Sequence, residues 1–227
     1  VEDRDLDAEQ ALQVNASTGL LALAHLALDA LTAEGVPPSR VAHLGTALQV
    51  AILRAAGGQH GDLVTGSDAA DLDPDGWLAI AAAKSGALFA WAAWAGAAIA
   101  GAEDAPLEGY RRFGECLGVL LQIADDYNDI WAPDAEAGGR AEAPTLGAPN
   151  LSIAYARLVA DGAARRHLDD ALRSTREGVA GARGAVVDAV TDLGAQTFVL
   201  AVARAQHQHG IEALNAASAR PAPARRL

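Results

Sequence analysis

The most informative stretch of this chain reads Gln122-Ile-Ala-Asp125-Asp126-Tyr-Asn-Asp129. On a helix, Asp125 and Asp129 lie one turn apart and Asp126 lies about 100° around the axis, so we expect three carboxylates at one edge. Like charges at such short range disfavour ionisation unless a cation lies among them. Carboxylate oxygens suit Mg²⁺, which usually keeps coordination positions for phosphate oxygens. The stretch therefore predicts a magnesium and diphosphate site; the alternative is a solvated helix end in an acidic protein.

The turns that precede this motif favour a buried helix. They carry apolar side chains all around the helix axis, at Leu117, Val119, Leu120, Leu121 and Ile123. A helix that is apolar on every side is typical of a protein interior. This context favours the metal-site interpretation over the solvated helix end.

Composition predicts a single all-α domain. Apolar residues make up 51% of the 227 residues, and no alternating run rich in β-branched residues is bounded by turn signals. A chain of this length can bury one core of substantial size, so we predict one domain over residues 1–227. The chain contains no methionine, from which we expect that it is a fragment of a longer protein.

The net charge limits the kinds of binding partner that we expect, and the cysteine content bears on the cellular compartment. The net charge of -12 would repel a nucleic-acid backbone or an anionic membrane surface. The single cysteine, Cys116, excludes an internal disulfide and fits a reducing compartment. We expect a cytoplasmic protein; a cysteine-poor extracellular protein is the alternative. The run 86–102 is apolar but short and built of Ala and Gly, which predicts a buried core helix and no stable membrane insertion.

The spacing of apolar residues and the positions of Gly and Pro along the chain predict the helices. Asp73 and Pro74 indicate a helix start, Gly57-Gly58, Gly181 and Gly184 are interpreted as breaks, and 132–149 is predicted to be a loop. The predicted helices are 8–33, 39–56, 59–63, 74–101, 106–129, 151–161, 163–179 and 186–214.

Lys84 is conspicuous because it is the one lysine beside sixteen arginines. It lies within an apolar run, where a compact ammonium can contact a phosphate oxygen as a point charge. We therefore predict a diphosphate clamp; a lysine whose stem crosses apolar surface to reach water is the alternative. Gln59 and Asp62 could bind a metal-bound water or cap neighbouring backbone.

Four segments together, in order and spacing, resemble the trans-isoprenyl diphosphate synthases, also called polyprenyl synthetases. They read Gly58-Gln59-x-x-Asp62-Leu63, Lys84-Ser85, Phe113-Gly-x-x-Leu117-Gly118 and Gln122-x-x-Asp125-Asp126-x-x-Asp129. The resemblance implies an all-α, isoprenoid synthase-type helical bundle around a deep central cavity, with two aspartate-rich motifs that hold Mg²⁺. The second motif is similar to 122–129, and the family's Lys-Thr pair is similar to Lys84-Ser85.

The start of the chain resembles the end of the family's first motif. Val1-Glu-Asp3-Arg-Asp5 would lack the two leading aspartates, which makes Asp3 the last metal carboxylate of that motif. The resemblance also implies that N-terminal helices and the loop after this motif are missing. After the second motif, Arg140 stands where the family usually has a phosphate-binding lysine.

The resemblance implies a Mg²⁺-dependent prenyltransferase that condenses an allylic diphosphate with isopentenyl diphosphate to a trans-polyprenyl diphosphate of about C15–C20, as a homodimer. The implied catalytic residues are Lys84, Gln122, Asp125 and Asp126. The implied substrate-binding residues are Lys84, Ser85, Gln59, Gln122 and Arg140. The implied metal ligands are Asp3, Asp125, Asp126 and Asp129.

Three alternatives remain open. A class I terpene cyclase would ionise the same kind of substrate but would not need isopentenyl diphosphate. A non-catalytic subunit of a heteromeric prenyl synthase would keep the fold and lose metal carboxylates. An all-helical scaffold or di-iron bundle would need Glu-x-x-His pairs for its metals, and the sequence contains none.

Overall fold

The computed structural model describes residues 8–66, 72–102, 104–132 and 149–217, and these residues are mostly helical, with no strand among them. The all-α prediction is therefore confirmed. Contacts group the chain into two compact units, Val1–Val50 and Ala51–Leu227, which are described separately below. The single-domain prediction stays a prediction. The predicted loop at 132–149 lies almost entirely outside the described residues.

The first unit contains α1 (Ala8–Ala30) and the first part of α2 (Pro38–Thr65). α1 ends three residues earlier than predicted, and a turn with Gly35 at a φ of 90° leads into α2. Leu28, Leu44 and Leu48 are buried. α1 exposes several large apolar side chains, which include Leu12, Val14, Leu20, Leu23 and Leu26.

The predicted break at Gly57-Gly58 is wrong, because α2 runs through both glycines to Thr65. A Cβ on Gly58 would lie 2.4 Å from the backbone nitrogen of Lys84 and 2.8 Å from the Ala83 carbonyl carbon. Gly58 is thus required for a close approach between two helices, and its low helix propensity is outweighed by that packing.

The long predicted helix after Pro74 is present, with a change of pitch in its middle. It consists of α3 (Pro74–Ala81), a π-helical turn at Ala82–Gly86 (the π-turn hereafter) and α4 (Ala87–Ile99). The predicted start is confirmed: the Asp73 side chain accepts a hydrogen bond of 2.7 Å from the Gly76 amide and caps α3. The π-turn, a form found frequently at functional sites, was not predicted.

α5 (Asp104–Trp131) packs mainly against α4 and α9. Val119 and Ile123 are buried, whereas Leu117 and Leu121 are exposed. The prediction of a helix buried on every side is therefore wrong for α5. The apolar run 86–102 likewise has an exposed side, which carries Leu88, Phe89 and Ile99.

Four helices complete the second unit: α6 (Leu151–Val159), α7 (Gly162–Arg176), α8 (Ala182–Asp192) and α9 (Ala195–Ala217). The single helix predicted over 186–214 is wrong, because Gly194 adopts a φ of 78° and the axis bends by 66° between α8 and α9. Gly181 precedes α8 as predicted, but Gly184 lies inside it. One buried apolar cluster joins α6, α7 and α8 with the end of α5, around Leu168 and Val186.

Two helical stretches, Ala11–Ala30 and Pro74–Ile99, are long and apolar enough to cross a membrane, each with a mean hydropathy of 1.3. The bent pair α8 and α9 would add a third if it formed one span. These are statements about length and composition only. The absence of stable membrane insertion therefore stays a prediction.

Candidate functional site

Lys84 and Asp62 form an ion pair at the π-turn. Lys84 Nζ donates to Asp62 Oδ2 at 2.6 Å, and the two side chains are 29% and 17% exposed. Gly58 and Asp62 lie one turn apart on α2, so the close contact at Gly58 also brings Asp62 opposite Lys84. The lysine does not simply extend into water, and its role as a diphosphate clamp stays a prediction.

Ser85 connects the π-turn to α5. Its hydroxyl donates to Gln122 Oε1 at 3.2 Å. Gly118, one turn before Gln122, allows this approach: a Cβ there would lie 2.7 Å from the Cα of Gly86 and 2.8 Å from the carbonyl oxygen of Ser85. The predicted substrate-binding pair Lys84-Ser85 is thus brought directly against the aspartate-rich stretch of α5.

Asp126 turns away from its neighbours into the protein. It is 4% exposed, and its Oδ2 accepts a hydrogen bond of 2.7 Å from the amide of Leu151 at the start of α6. Asn150 caps α6 and donates from its side chain to the backbone carbonyl of Asp126 at 3.1 Å. The end of α5 and the beginning of α6 are therefore joined through Asp126.

The surroundings of Asp126 change its acidity. Burial, which disfavours the charged form, raises the pKa of Asp126 to about 7. Hydrogen bonds from Leu151 and Gln122 oppose this shift. The negative charges of Asp129 and Asp62 add to it.

Asp125 and Asp129 differ from Asp126 because they are exposed on the outer side of α5. The expected convergence of three carboxylates at one edge is therefore wrong. Within the described ranges, no three His, Cys, Asp or Glu side chains come together as a metal site would need. Two hard oxygen donors one turn apart still fit Mg²⁺, which takes one or two carboxylates together with substrate phosphates.

The structure describes only some of the other predicted site residues. Gln59 is half-buried on α2, next to Gly58. Asp3 and Arg140 lie outside the described residues. A cavity of about 650 Å³ lies on the opposite face of α5, against α9, where it is lined by Arg112, Cys116 and His209 among others. None of the predicted site residues within the described ranges lines that cavity.

Three residues near the site were not predicted in their observed roles. Asp62 is the partner of Lys84, which only the path of α2 shows. Asn150 could have been predicted as an N-cap, because it directly precedes an apolar helical run. Arg183 donates from Nη2 to the backbone carbonyl of Asp129 at 2.8 Å, while its buried Nη1 has no partner in the described part of the chain. No local pattern indicates this contact across 54 residues.

Comparison with known proteins identifies the family of this chain. The model of the polyprenyl synthetase family matches residues 6–189, so the chain belongs to that family. Geranylgeranyl pyrophosphate synthase 12, chloroplastic, of Arabidopsis thaliana is 30% identical over 151 residues, which are 65% of this chain and 41% of that protein. Geranylgeranyl pyrophosphate synthase 10, mitochondrial, of the same plant is 29% identical over 133 residues, 57% of this chain and 38% of that protein.

These lengths show that the chain spans about two fifths of the curated relatives it matches. Among solved structures, a polyprenyl synthetase from Streptomyces coelicolor A3(2) superposes with a TM-score of 0.78 at 25% identity, over 96% of this chain and 64% of that one. The isoprenoid synthase-type fold expected from the sequence is therefore confirmed.

Proposed function

We propose that this protein is a Mg²⁺-dependent prenyltransferase that condenses an allylic diphosphate with isopentenyl diphosphate to a trans-polyprenyl diphosphate of about C15–C20. Membership of the polyprenyl synthetase family supports the reaction class. The names of the two Arabidopsis relatives, both geranylgeranyl pyrophosphate synthases, support a product at the upper end of this range.

One observation carries the proposal more than any other. The π-turn, with Lys84 and Ser85, is hydrogen-bonded to the same helix that presents Asp125 at its surface. A cationic group and an acidic edge on neighbouring helices are what a metal-bound diphosphate needs, because its oxygens require both metal and ammonium partners.

We assign separate roles to the residues of the site. Asp125 and Asp129 would hold Mg²⁺, together with Asp3 from outside the described ranges. When bound, Mg²⁺ neutralises the charge that develops on the departing diphosphate. Lys84 would bind a diphosphate oxygen through its ammonium group, which is paired with Asp62 in the structure.

The proposed reaction balances without any further reagent. The carbon–oxygen bond of the allylic diphosphate breaks, and its electron pair leaves with the diphosphate. The double bond of isopentenyl diphosphate then forms a bond to the allylic carbon, and a proton passes to the released diphosphate. Stabilising charge at the leaving group is the largest contribution that such a site makes.

The test is a product assay with the full-length protein. It is incubated with Mg²⁺, radiolabelled isopentenyl diphosphate and allylic diphosphates from C5 to C15, and the products are sized by chromatography. Labelled products of C15–C20 that disappear with EDTA would support the proposal. Product formed from an allylic diphosphate alone would identify a cyclase. Diphosphate binding without any product would identify a non-catalytic subunit.

Assembly and location are part of the same proposal. We expect a homodimer, as the family resemblance implies, and a cytoplasmic location, with which the cysteine content is compatible. Sedimentation of the purified full-length protein tests the dimer, and fractionation of cells that express it tests the location.

A further inference from the structure

The ammonium group of Lys84 is held from another helix. Lys84 Nζ, in the π-turn, donates to Asp62 Oδ2 of α2 at 2.6 Å, and the two side chains are 29% and 17% exposed. Among the residues that the structure describes, this ammonium has no other hydrogen-bond or ion-pair partner. Asp62 is therefore the group that fixes where the ammonium lies.

The packing of α2 against the π-turn brings the two residues together. A Cβ on Gly58 would lie 2.8 Å from the Cα of Lys84. Gly61 is also near the preceding helix, since its Cβ would lie 3.7 Å from Ile80 Cγ1. Asp62 follows Gly58 by one turn on the same face of α2, so this approach places its carboxylate beside the Lys84 side chain. The ion pair thus follows from the close contact of two backbones.

A lysine that binds phosphate gains from being held in place. Its ammonium carries three N–H donors at the end of a flexible four-carbon stem. The stem loses rotational freedom when the ammonium binds a ligand, and this loss opposes binding. A partner that already accepts from one N–H group removes much of that cost and leaves two N–H groups for phosphate oxygens.

We propose that Asp62 is a positioning residue for the proposed reaction: it holds the Lys84 ammonium through one hydrogen bond and leaves the other N–H groups for the oxygens of the diphosphate. From the sequence, Asp62 could bind a metal-bound water or cap neighbouring backbone, whereas the structure pairs it with Lys84. The inference rests on the proposed function, because Lys84 belongs to the proposed diphosphate site.

Two substitutions of Asp62 separate its position from its charge. A carboxylate here also repels the diphosphate and competes with it for the ammonium. D62N and D62A remove the same negative charge, so both relieve this repulsion. Only D62N keeps a side-chain oxygen that can accept from the ammonium. The difference between the two variants therefore measures what the held ammonium contributes.

The expected kinetic result is a fall in kcat of about 10- to 100-fold for D62A and of less than about threefold for D62N. Because Asp62 acts through Lys84, D62A should cause no further loss of kcat in a K84A background. D188A, at an exposed aspartate of α8, is the matched control and should keep the kcat of the wild type. If circular dichroism shows that D62A is unfolded, D62L, which fills the space without an acceptor, takes its place.

The hold on the ammonium is measured directly by NMR in the absence of substrate. The chain contains one lysine, so lysine labelled with ¹³C at its ε-carbon gives a signal for Lys84, which is identified by its loss in K84R. The order parameter of this group should fall at least about twofold in D62A, because the side chain becomes free to rotate. It should stay close to the wild-type value in D62N and D188A.

Four results would overturn the inference. The first is a Lys84 side chain that is as ordered in D62A as in the wild type, and the second is an equal kcat in D62A and D62N. The third is an equal fall of the KM for the allylic diphosphate in both variants, which would show that Asp62 only competes for the ammonium. The fourth is a further loss of kcat when D62A is added to K84A, which would show that Asp62 acts on another group.

The proposed function is tested separately from this inference. A wild type without turnover would contradict the proposed function. The order parameter of Lys84 is measured without substrate, so it still shows whether Asp62 holds the ammonium.

Discussion

Gly118 on α5 lies so close to Gly86 of the π-turn that a Cβ on Gly118 would be 2.7 Å from the Gly86 Cα. The next nearest atoms, the nitrogen of Gly86 and the carbonyl oxygen of Ser85, are each 2.8 Å away and also belong to the backbone. Because all three atoms belong to the backbone, they cannot move aside as a flexible side chain would. The contact between Gly118 and Gly86 therefore sets the distance across which Ser85 reaches Gln122.

Alanine at Gly118 is therefore expected to push α5 away from the π-turn. We predict that G118A lowers the free energy of unfolding by about 1–3 kcal/mol, as overpacking does, and also lowers kcat. Urea denaturation gives the first quantity and the product assay the second.

G96A is the matched control for this prediction. Gly96 is helical and exposed in α4, and a Cβ there would meet nothing within 4 Å. Its replacement should raise the free energy of unfolding by up to about 1 kcal/mol through helix propensity. Equal effects of the two substitutions would contradict the close approach at Gly118.

Lys84 and Asp125 should both be needed for turnover. We predict that K84A and D125A each lower kcat by about 100-fold or more, because each removes a group that stabilises charge on the diphosphate. Far-UV circular dichroism should stay that of the wild type. Turnover at the wild-type level in either variant would mean that the residue is not part of the site.

K84A also leaves Asp62 partly buried without its cation, which could lower stability for a reason unrelated to catalysis. The double variant K84A/D62N removes that unpaired charge. It should regain stability in urea while its kcat stays as low as that of K84A. Recovery of both quantities would show that Lys84 has a structural role only.

Stability should depend on pH through Asp126. Its carboxyl keeps a proton up to a pKa of about 7 in the folded protein, compared with an ordinary value of 3.8. Between these values the folded state binds more protons than the unfolded state, so the free energy of unfolding falls as pH rises from about 4 to 7. In metal-free buffer D126N should make this decline shallower, and urea denaturation at several pH values measures it. An identical decline in both proteins would contradict the raised pKa.

Arg183 should stabilise the end of α5. Its guanidinium donates to the backbone carbonyl of Asp129 near the helix C-terminus, where positive charge is favourable. We predict that R183A lowers the free energy of unfolding by about 1 kcal/mol. R166A, at an exposed arginine of α7, should change it by less than about 0.5 kcal/mol. Equal effects of R183A and R166A in urea would contradict this role.

The sequence predicts those features that depend on neighbouring residues. Asp73 and Pro74 specify a helix start through their own side chain and ring, and the structure has that start. The stretch 122–129 was correctly placed at the end of a helix. Spacing and order of the motifs were enough to identify the family and therefore the fold.

Features set by distant contacts could not be predicted in this way. Gly58 and Gly194 look alike in the sequence, yet Gly58 lies inside α2 against Lys84 while Gly194 adopts positive φ and ends a helix. Helical spacing also placed Asp126 beside Asp125, but the packing of α6 turns its carboxylate inward. At Gly58 and Asp126 the approach of another segment decides the outcome, and such an approach leaves no local pattern.

A crystal structure of the full-length protein with Mg²⁺ and pyrophosphate tests the central claim most directly. The account predicts a metal about 2.1 Å from a carboxylate oxygen of Asp125, with Lys84 Nζ hydrogen-bonded to a pyrophosphate oxygen and Asp126 still bound to Leu151. Pyrophosphate bound away from the π-turn, or a metal that contacts neither Asp125 nor Asp129, would contradict it.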